Sequence, residues 1–315
     1  MNTKPLVLIV GKLSKTLKKA IEDNYQTLYL PEESTEQQAF LKTNGQSITT
    51  VATSAAHGMT AELMTALPNL KLVASLGVGY DSLDVQYAKA HGICVTNTPD
   101  VLNDCVADLA IGLMIDVARN ISYADRFIRH GLWQDRSAKL GHKVSHKTCG
   151  IVGLGRIGKA IAKRAEAFDM KIAYYGRHQQ TDVNYDFYND LNKLAITSDF
   201  LVLALPTTGD TTHIINEQIL NDLGEKGFLI NIARGAVVDE KALVKALQEG
   251  KIAGAGLDVF EHEPNTPKEL WEMDNVVLTN HIGSATYETR EAMAELVFAN
   301  IQSFLTGKGA ITPVV

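Results

Sequence analysis

Short apolar runs alternate with amphipathic segments through residues 6–96 of the chain. Runs rich in β-branched and other apolar residues predict strands at 6–10, 27–30, 48–53, 70–76 and 93–96. Segments in which apolar residues recur about every 3.6 positions predict helices at 14–25, 33–44, 60–67 and 82–91. This alternation of strand and helix indicates parallel βαβ units.

The pattern changes after residue 100 and then resumes. Residues 101–130 predict a long, mostly helical stretch, which we expect to be a connector or an arm for oligomer contacts. Its apolar face consists of Val106, Leu109, Ala110, Leu113, Met114 and Val117. A second series predicts strands at 149–153, 171–175, 200–205, 228–233, 255–259 and 276–279, and a last helix at 287–306. Continuous apolar strands require burial on both faces, so the predicted fold class is α/β with doubly wound parallel sheets.

Length, composition and charge narrow the class of protein further. A chain of 315 residues predicts two domains at about 150 residues each. The net charge of −6 disfavours nucleic acid and membrane surfaces as partners. Cys94, Cys105 and Cys149 are too few and too far apart for a disulfide framework, which suits a reducing cytoplasm. No metal site is predicted, because the spaced pair His142 and His146 lies in a loop-like segment.

A glycine motif carries the clearest chemical signal. It directly follows the predicted strand at 149–152, opens a predicted helix at 159–168, and consists of Gly153, Leu154, Gly155, Arg156, Ile157 and Gly158. In a dinucleotide-binding turn the first glycine permits the tight bend, the second admits the pyrophosphate and the third lets helix and strand pack closely. The helix N-terminus then presents unpaired N–H groups to the phosphates.

The end of the next strand bears on the choice of coenzyme. NAD-binding units carry an acidic residue about 20 residues after the motif, where it contacts the ribose. Here Tyr175 is followed by Gly176, Arg177 and His178, with no carboxylate. A guanidinium can pair with a 2′-phosphate, so NADP(H) is the preferred coenzyme and NAD(H) remains possible. The alternative is that Arg177 is a solvated loop residue.

Polar residues follow the strands of the second series, where parallel α/β sheets bind ligands. Arg234 offers a fixed fork for a carboxylate, and His281 offers an imidazole that exchanges a proton near neutrality. Glu263 lies between the last two strands and could orient that imidazole. Each also has a plainer interpretation as a surface ion pair or a structural residue. His262 adjoins Glu263 but closes no strand, which favours His281 as the acid/base residue.

Five segments, in order along the chain, resemble the D-isomer-specific 2-hydroxyacid dehydrogenases, and among them the NADPH-preferring glyoxylate/hydroxypyruvate reductases. They are 76–81 (LGVGYD), 150–158 (GIVGLGRIG), 231–235 (NIARG), 256–264 (GLDVFEHEP) and 281–286 (HIGSAT). The resemblance implies that His281 is the acid/base, Glu263 its partner and Arg234 the substrate anchor. It also implies that the backbone N–H groups of Val78 and Gly79 bind the substrate carboxylate.

The same resemblance implies a coenzyme site and a domain plan. Beside the glycine motif, the residues expected to line the coenzyme are Arg177, His178, Pro206, Thr212, Ile232, Ala233 and Asp258. Asp258 would orient the nicotinamide carboxamide. A Rossmann-type nucleotide domain at 100–284, including the helical arm, would be inserted into a flavodoxin-like substrate domain formed by 1–99 and 285–315, with the active site in the cleft.

The expected activity is hydride transfer from NADPH to C2 of a small 2-oxo acid, glyoxylate or hydroxypyruvate, in a cytoplasmic homodimer. A corepressor-like protein that senses dinucleotides is one alternative, and an oxidoreductase for another 2-oxo acid is a second. Asn280 stands where the family usually has Pro, so we expect a less fixed backbone before His281. Only Trp133 represents the aromatic residues that often follow the arm in such reductases, which leaves the substrate profile open.

Overall fold

The computed structural model describes residues 4–134, 137 and 139–315. The chain forms two compact units: unit 1 comprises Met1–Leu102 with Thr286–Val315, and unit 2 comprises Asn103–Ala285. Among the described residues, no helix has both the length and the apolar character needed to cross a bilayer.

Unit 1 is built on a five-stranded parallel sheet. Its strands are β1 (Leu6–Ile9), β2 (Gln26–Tyr29), β3 (Thr50–Ser54), β4 (Leu72–Leu76) and β5 (Cys94–Thr96). The strand order is β2-β1-β3-β4-β5, and every pairing is parallel. This is the flavodoxin-like order that the family resemblance implied. Strands β3 and β4 are buried along their whole length, and they contain only apolar residues and small hydroxyl residues.

Helices cover this sheet and begin at capping side chains. They are α1 (Lys15–Asn24), α2 (Ser34–Asn44), α3 (Ala61–Thr65), α4 (Val85–Ala90) and α11 (Tyr287–Leu305), with a 3-10 turn at Gly45–Ser47. Helix α4 is shorter than the predicted 82–91 because Asp84 is its N-cap and accepts from Tyr87 N–H. Helix α11 packs on β4 and α1, so the last part of the chain belongs to unit 1.

The C-terminus covers the open edge of β5. Val314 N–H donates to the carbonyl of Val95, and Val95 N–H donates to the carbonyl of Val315. Thr96 and Pro313 form an isolated antiparallel bridge. The final residues therefore satisfy backbone groups that an exposed edge strand would leave unpaired.

Unit 2 contains a seven-stranded sheet that is also fully parallel. Its strands are β6 (Thr148–Val152), β7 (Lys171–Tyr175), β8 (Asp186–Tyr188), β9 (Phe200–Leu203), β10 (Phe228–Asn231), β11 (Gly254–Leu257) and β12 (Val276–Leu278). The order is β12-β11-β10-β9-β6-β7-β8, the doubly wound arrangement of Rossmann-type domains. Strand β8 was missed by the sequence analysis, because it is a short, half-exposed edge strand without an apolar run.

The register of the strand pairs aligns the C-terminal ends of six of these strands. Tyr175, Val152, Leu203, Asn231, Leu257 and Leu278 are paired in one row across the sheet. The segments that follow each strand therefore leave the sheet at the same edge. A topological switch point lies between β6 and β9, the place where such sheets bind ligands.

The helices of unit 2 include the mostly helical stretch predicted at 101–130. They are α5 (Asn103–Arg119), α6 (Ile121–Arg129), α7 (Arg156–Glu166), α8 (Leu191–Thr197), α9 (Glu217–Leu223) and α10 (Glu240–Gln248), and 3-10 turns lie at Leu132–Gln134, Gly235–Val237 and Lys268–Leu270. The predicted stretch at 101–130 is two helices, because Asn120 adopts a left-handed conformation with φ of 55°. Helix α5 packs on α7, β10 and β11, so it is part of the core of unit 2.

Candidate active site

The glycine motif forms the turn between β6 and α7. Gly153 has a φ of 96°, a conformation that residues with a side chain seldom adopt. A Cβ at Gly158 would lie 2.3 Å from the carbonyl oxygen of Gly153, so helix and turn pack as closely as a glycine allows. A Cβ at Gly155 would meet nothing within 4 Å, and Gly155 is the N-cap of α7. Open space in front of a helix N-terminus fits a bound pyrophosphate.

A side chain that the sequence analysis did not single out supports this turn. The Gln180 side-chain amide donates to the carbonyl of Leu154 at 2.7 Å, and its backbone N–H donates to Tyr174 Oη at 2.7 Å. Arg177 and His178 lie exposed in the segment between β7 and Gln180. A lone amide in a loop gives no periodic or motif signal, which is why sequence alone missed Gln180.

The other predicted coenzyme residues follow β9 and β10 at the same sheet edge. Pro206 and Thr212 are exposed, whereas Ile232 and Ala233 are buried. Asn231, at the end of β10, accepts from Ala233 N–H at 3.0 Å through Oδ1 and donates to the carbonyl of Arg234 through Nδ2 at 3.0 Å. These two hydrogen bonds fix the backbone turn that carries Arg234.

Glu263 and His281 form a hydrogen-bonded pair. Nδ1 of His281 lies 2.7 Å from Oε2 of Glu263, and Oε1 of Glu263 accepts from Phe260 N–H at 3.0 Å. The imidazole is half exposed, so one face of the pair remains open to a ligand. Burial alone would raise the pKa of Glu263, but the bonds from His281 and Phe260 and the charges of His281 and Arg234 outweigh it and lower that pKa.

Asp258 anchors the loop that carries His281. Its Oδ1 accepts from Thr279 Oγ1 at 2.7 Å and from Ile282 N–H at 2.7 Å, while Oδ2 accepts from Gly283 N–H at 2.9 Å. Its carbonyl accepts from His281 N–H at 2.8 Å. Asp258 is 1% exposed, and His281 has a φ of 56°. A buried carboxylate with three donors thus holds a strained backbone.

Arg234 is half-buried beside this pair. Its Nη1 donates to the carbonyl of Ala233 at 2.8 Å, and its charge is one of the causes of the low pKa of Glu263. In unit 2 the structure therefore brings together Arg234, Glu263 and His281, which are separated by up to 47 positions (281 − 234) in the chain.

Val78 and Gly79 lie in unit 1, in the loop after β4. Thr98 forms two hydrogen bonds with Gly77 at the start of this loop. Its N–H donates to the carbonyl of Gly77, and its Oγ1 accepts from Gly77 N–H. The Asn97 side chain donates to the carbonyl of Val78 at 2.8 Å. Gly77 has a φ of 142°, so the bend depends on a glycine.

Within residues 4–134, 137 and 139–315, no group of three or more His, Cys, Asp or Glu side chains is placed to hold a metal ion.

Comparison with known proteins identifies the family. Residues 111–283 match the model of the D-isomer specific 2-hydroxyacid dehydrogenase, NAD binding domain. The chain belongs to this family. The matched residues of this D-2-hydroxyacid dehydrogenase include the glycine turn, Arg234 and the Glu263–His281 pair, and the chain is therefore an oxidoreductase that uses NAD(P).

Relatives of this D-2-hydroxyacid dehydrogenase match along almost its whole length. A glyoxylate/hydroxypyruvate reductase A of Arabidopsis thaliana is 48% identical, with 98% of each chain covered. A hydroxyphenylpyruvate reductase of Plectranthus scutellarioides is 47% identical, also with 98% of each chain covered. The solved NADPH-dependent glyoxylate/hydroxypyruvate reductase of Sinorhizobium meliloti, in complex with NADP and malonate, matches with a TM-score of 0.94 and 40% identity over 99% of this chain and 97% of that one.

The hydrogen bonds of Asp258 bear on the expectation for Asn280. Sequence analysis expected a less fixed backbone there, because the family usually has proline before the histidine. In this D-2-hydroxyacid dehydrogenase the backbone after Asn280 is held by Asp258, which accepts from the N–H groups of His281, Ile282 and Gly283. Hydrogen bonds to Asp258 therefore fix the backbone that carries the imidazole, and proline is not required for this.

Proposed function

We propose that this enzyme reduces a small 2-oxo acid, glyoxylate or hydroxypyruvate, to the D-2-hydroxy acid with NADPH. The observation that carries the proposal is the His281–Glu263 hydrogen bond at 2.7 Å, at the sheet edge where the glycine turn is also found. An imidazole oriented by a carboxylate is suited to give a proton to a carbonyl oxygen as that oxygen gains charge. Relatives whose names specify glyoxylate and hydroxypyruvate support this choice of substrate.

Each residue of the site has a separate role in this reaction. Bound NADPH would supply the hydride, held by the glycine turn and the N-terminus of α7. His281 gives its proton to the substrate oxygen, and Glu263 stabilises the imidazolium and fixes which ring nitrogen faces away from it. Arg234 binds the carboxylate and polarises the carbonyl with its planar pair of donors. The roles of Val78 and Gly79 as carboxylate-binding amides stay predictions from the family pattern.

Replacement of the acid tests this assignment. His281→Gln should lower kcat for glyoxylate by about 100- to 10,000-fold, the usual contribution of general acid catalysis. His262→Gln is the matched control, since His262 is the neighbouring exposed histidine that sequence alone could confuse with the acid. Steady-state assays that follow NADPH absorbance measure both. Near-normal activity of His281→Gln would contradict the proposal.

The coenzyme preference is proposed to rest on Arg177. Loss of a charged hydrogen bond to a 2′-phosphate costs about 1.5–3 kcal/mol, so Arg177→Ala should lower kcat/KM for NADPH by roughly 10- to 150-fold. The value for NADH should stay within about threefold, since NADH has no phosphate there. Lys171→Ala is a control that removes one exposed positive charge from the same domain. Equal losses with both coenzymes would show that Arg177 does not read the phosphate.

The substrate range separates the remaining alternatives. Values of kcat/KM for glyoxylate, hydroxypyruvate, pyruvate and 4-hydroxyphenylpyruvate would distinguish a small-acid reductase from an enzyme for another 2-oxo acid. The aromatic substrate belongs in the panel because one relative is named a hydroxyphenylpyruvate reductase. Tight NADPH binding without turnover of any 2-oxo acid would instead favour the corepressor-like protein that senses dinucleotides.

The proposal also covers the oligomeric state of the enzyme and its location in the cell. We infer a homodimer because apolar side chains are exposed on and after α6: Ile121, Ile128 and Trp133 are 51%, 56% and 69% exposed. Light scattering coupled to gel filtration would measure the mass in solution against the 34.3 kDa of one chain. A cytoplasmic location and the lack of a nucleic-acid partner remain predictions from the cysteine content and the net charge.

A further inference from the structure

The turn that carries Glu263 is held at its centre by contacts outside the acid/base pair. Gly235 packs directly on the peptide that joins Phe260 and Glu261. A Cβ at position 235 would lie 1.8 Å from the carbonyl carbon of Phe260 and 2.2 Å from the nitrogen of Glu261. This peptide is next to Phe260 N–H, the group that donates to Glu263. Its orientation therefore bears on where the Glu263 carboxylate can lie.

Glu240 bonds this peptide from helix α10. Its Oε1 accepts from Glu261 N–H at 2.8 Å, and the side chain is half-buried. Glu240 is the first residue of α10, but Asp239 is the N-cap and accepts from Ala242 N–H at 3.0 Å. The helix is thus capped without Glu240, whose carboxylate instead bonds a segment 21 residues away in the chain.

His213 holds the same residue through its side chain. Nε2 of His213 lies 2.7 Å from Oε1 of Glu261. The backbone of His213 is fixed in turn, since its N–H donates to the carbonyl of Ala236 at 2.9 Å and its φ is 51°. Glu261 is therefore bonded through its backbone by Glu240 and through its carboxylate by His213.

We propose that Glu240 is a positioning residue for the reaction: it holds the Glu261 peptide so that Phe260 N–H and His281 both reach the Glu263 carboxylate. His213 assists by holding the Glu261 side chain. This proposal rests on the proposed function, since it needs Glu263 and His281 to be the acid/base pair. Neither Glu240 nor His213 needs to touch the substrate.

Several ionisable groups of the turn that carries Glu263 act on the pKa of Glu240. The ionisable groups that face it are Glu261, His262 and Glu263. Burial raises the pKa of Glu240 and the charges of Glu261 and Glu263 raise it further, against the lowering effects of the Glu261 N–H bond and His262. The Glu240 carboxylate therefore lies among the charged groups of the turn that carries Glu263.

Two substitutions separate the hydrogen bond from the charge. Glu240→Ala removes both, and we expect kcat with glyoxylate to fall roughly 10- to 100-fold, the scale that misplacement of a catalytic group by about 1 Å produces. Glu240→Gln keeps an acceptor oxygen, so kcat should recover to within about fivefold of wild type. Rescue by Glu240→Gln together with an unchanged dissociation constant for NADPH is the readout that a general loss of structure would not give.

Glu217→Gln is the matched control, because Glu217 is also a first-turn glutamate, on α9, and pairs with a solvent-exposed lysine, Lys245. It should leave kcat and the pH profile unchanged. The dissociation constant for NADPH, from fluorescence titration, should stay within about twofold in all variants, since the coenzyme turn is untouched. His213→Gln should lower kcat in the same direction and by less than Glu240→Ala.

The outcomes distinguish this proposal from the proposed function. If His281→Gln is inactive while Glu240→Ala keeps wild-type kcat and pH profile, Glu240 does not position the pair and only this inference is overturned. If His281→Gln is active, the acid/base assignment itself is wrong. Should Glu240→Ala fail to fold, His213→Gln decides, because it removes the second contact that holds Glu261, and wild-type kcat in folded His213→Gln overturns the inference.

Discussion

Asp258→Asn is the substitution whose effect the structure specifies most fully. The carboxylate accepts hydrogen bonds from Thr279 Oγ1, Ile282 N–H and Gly283 N–H, and it is 1% exposed. An asparagine can keep its oxygen toward Thr279 and Ile282, but its NH₂ group then faces the N–H of Gly283. One bond is lost, two donors oppose each other, and the two remaining bonds lose the strength that the negative charge gave them.

These changes lower the free energy of unfolding. A hydrogen bond to a charged group contributes about 1.5–3 kcal/mol, and the two weakened bonds lose about half of their strength, so unfolding of unit 2 should become easier by about 3 kcal/mol or more. For a domain of this size each kcal/mol lowers Tm by about 2–4 °C, which predicts a fall of roughly 6–12 °C. Thr279→Val removes a single donor to the carboxylate and should lower the free energy of unfolding by about 1.5–3 kcal/mol.

Calorimetry and kinetics together test both proposed roles of Asp258. If its main role is to hold the His281 loop, Asp258→Asn should lower kcat strongly and leave the dissociation constant for NADPH nearly unchanged. If it mainly orients the nicotinamide, as the family pattern implies, coenzyme binding should weaken as well. A Tm within about 2 °C of wild type would refute the reasoning, because three buried charge-assisted bonds cannot be disturbed at so little cost.

Two further predictions concern strand β6 and the turn after it. Gly158→Ala should raise the dissociation constant for NADPH roughly 5- to 150-fold, since its Cβ would lie 2.3 Å from the carbonyl oxygen of Gly153 and forced repacking costs about 1–3 kcal/mol. Gly112→Ala, where a Cβ meets nothing within 4 Å, is the control, and equal fluorescence titrations for the two variants would contradict the packing argument. Complete burial raises the pKa of Cys149 to about 12, so iodoacetamide at pH 8 should label it only after unfolding. Mass spectrometry that finds Cys149 labelled in the native enzyme at the rate seen in urea would show that the strand opens.

Helix and strand positions were largely readable from the sequence, because burial imposes a period on side chains. Strand β9 had to be apolar at every position since helices cover both faces of its sheet, and that run is visible without a structure. Strand β8 lies at the sheet edge with exposed side chains, so it carries no such pattern. The break at Asn120 was equally hidden, because a single left-handed residue interrupts a helix without interrupting its apolar face.

By itself the sequence determined which chemistry the chain can offer: a glycine turn between strand and helix, and an arginine, a glutamate and a histidine near strand ends. These are local facts about residue type and spacing. Only the tertiary structure decided that Glu263 bonds His281, that Asp258 holds the loop that carries His281, and that Glu240 bonds the Glu261 peptide. Those contacts join residues 18 to 24 positions apart, and pairing at such separations depends on sheet register and helix packing, which no local pattern encodes.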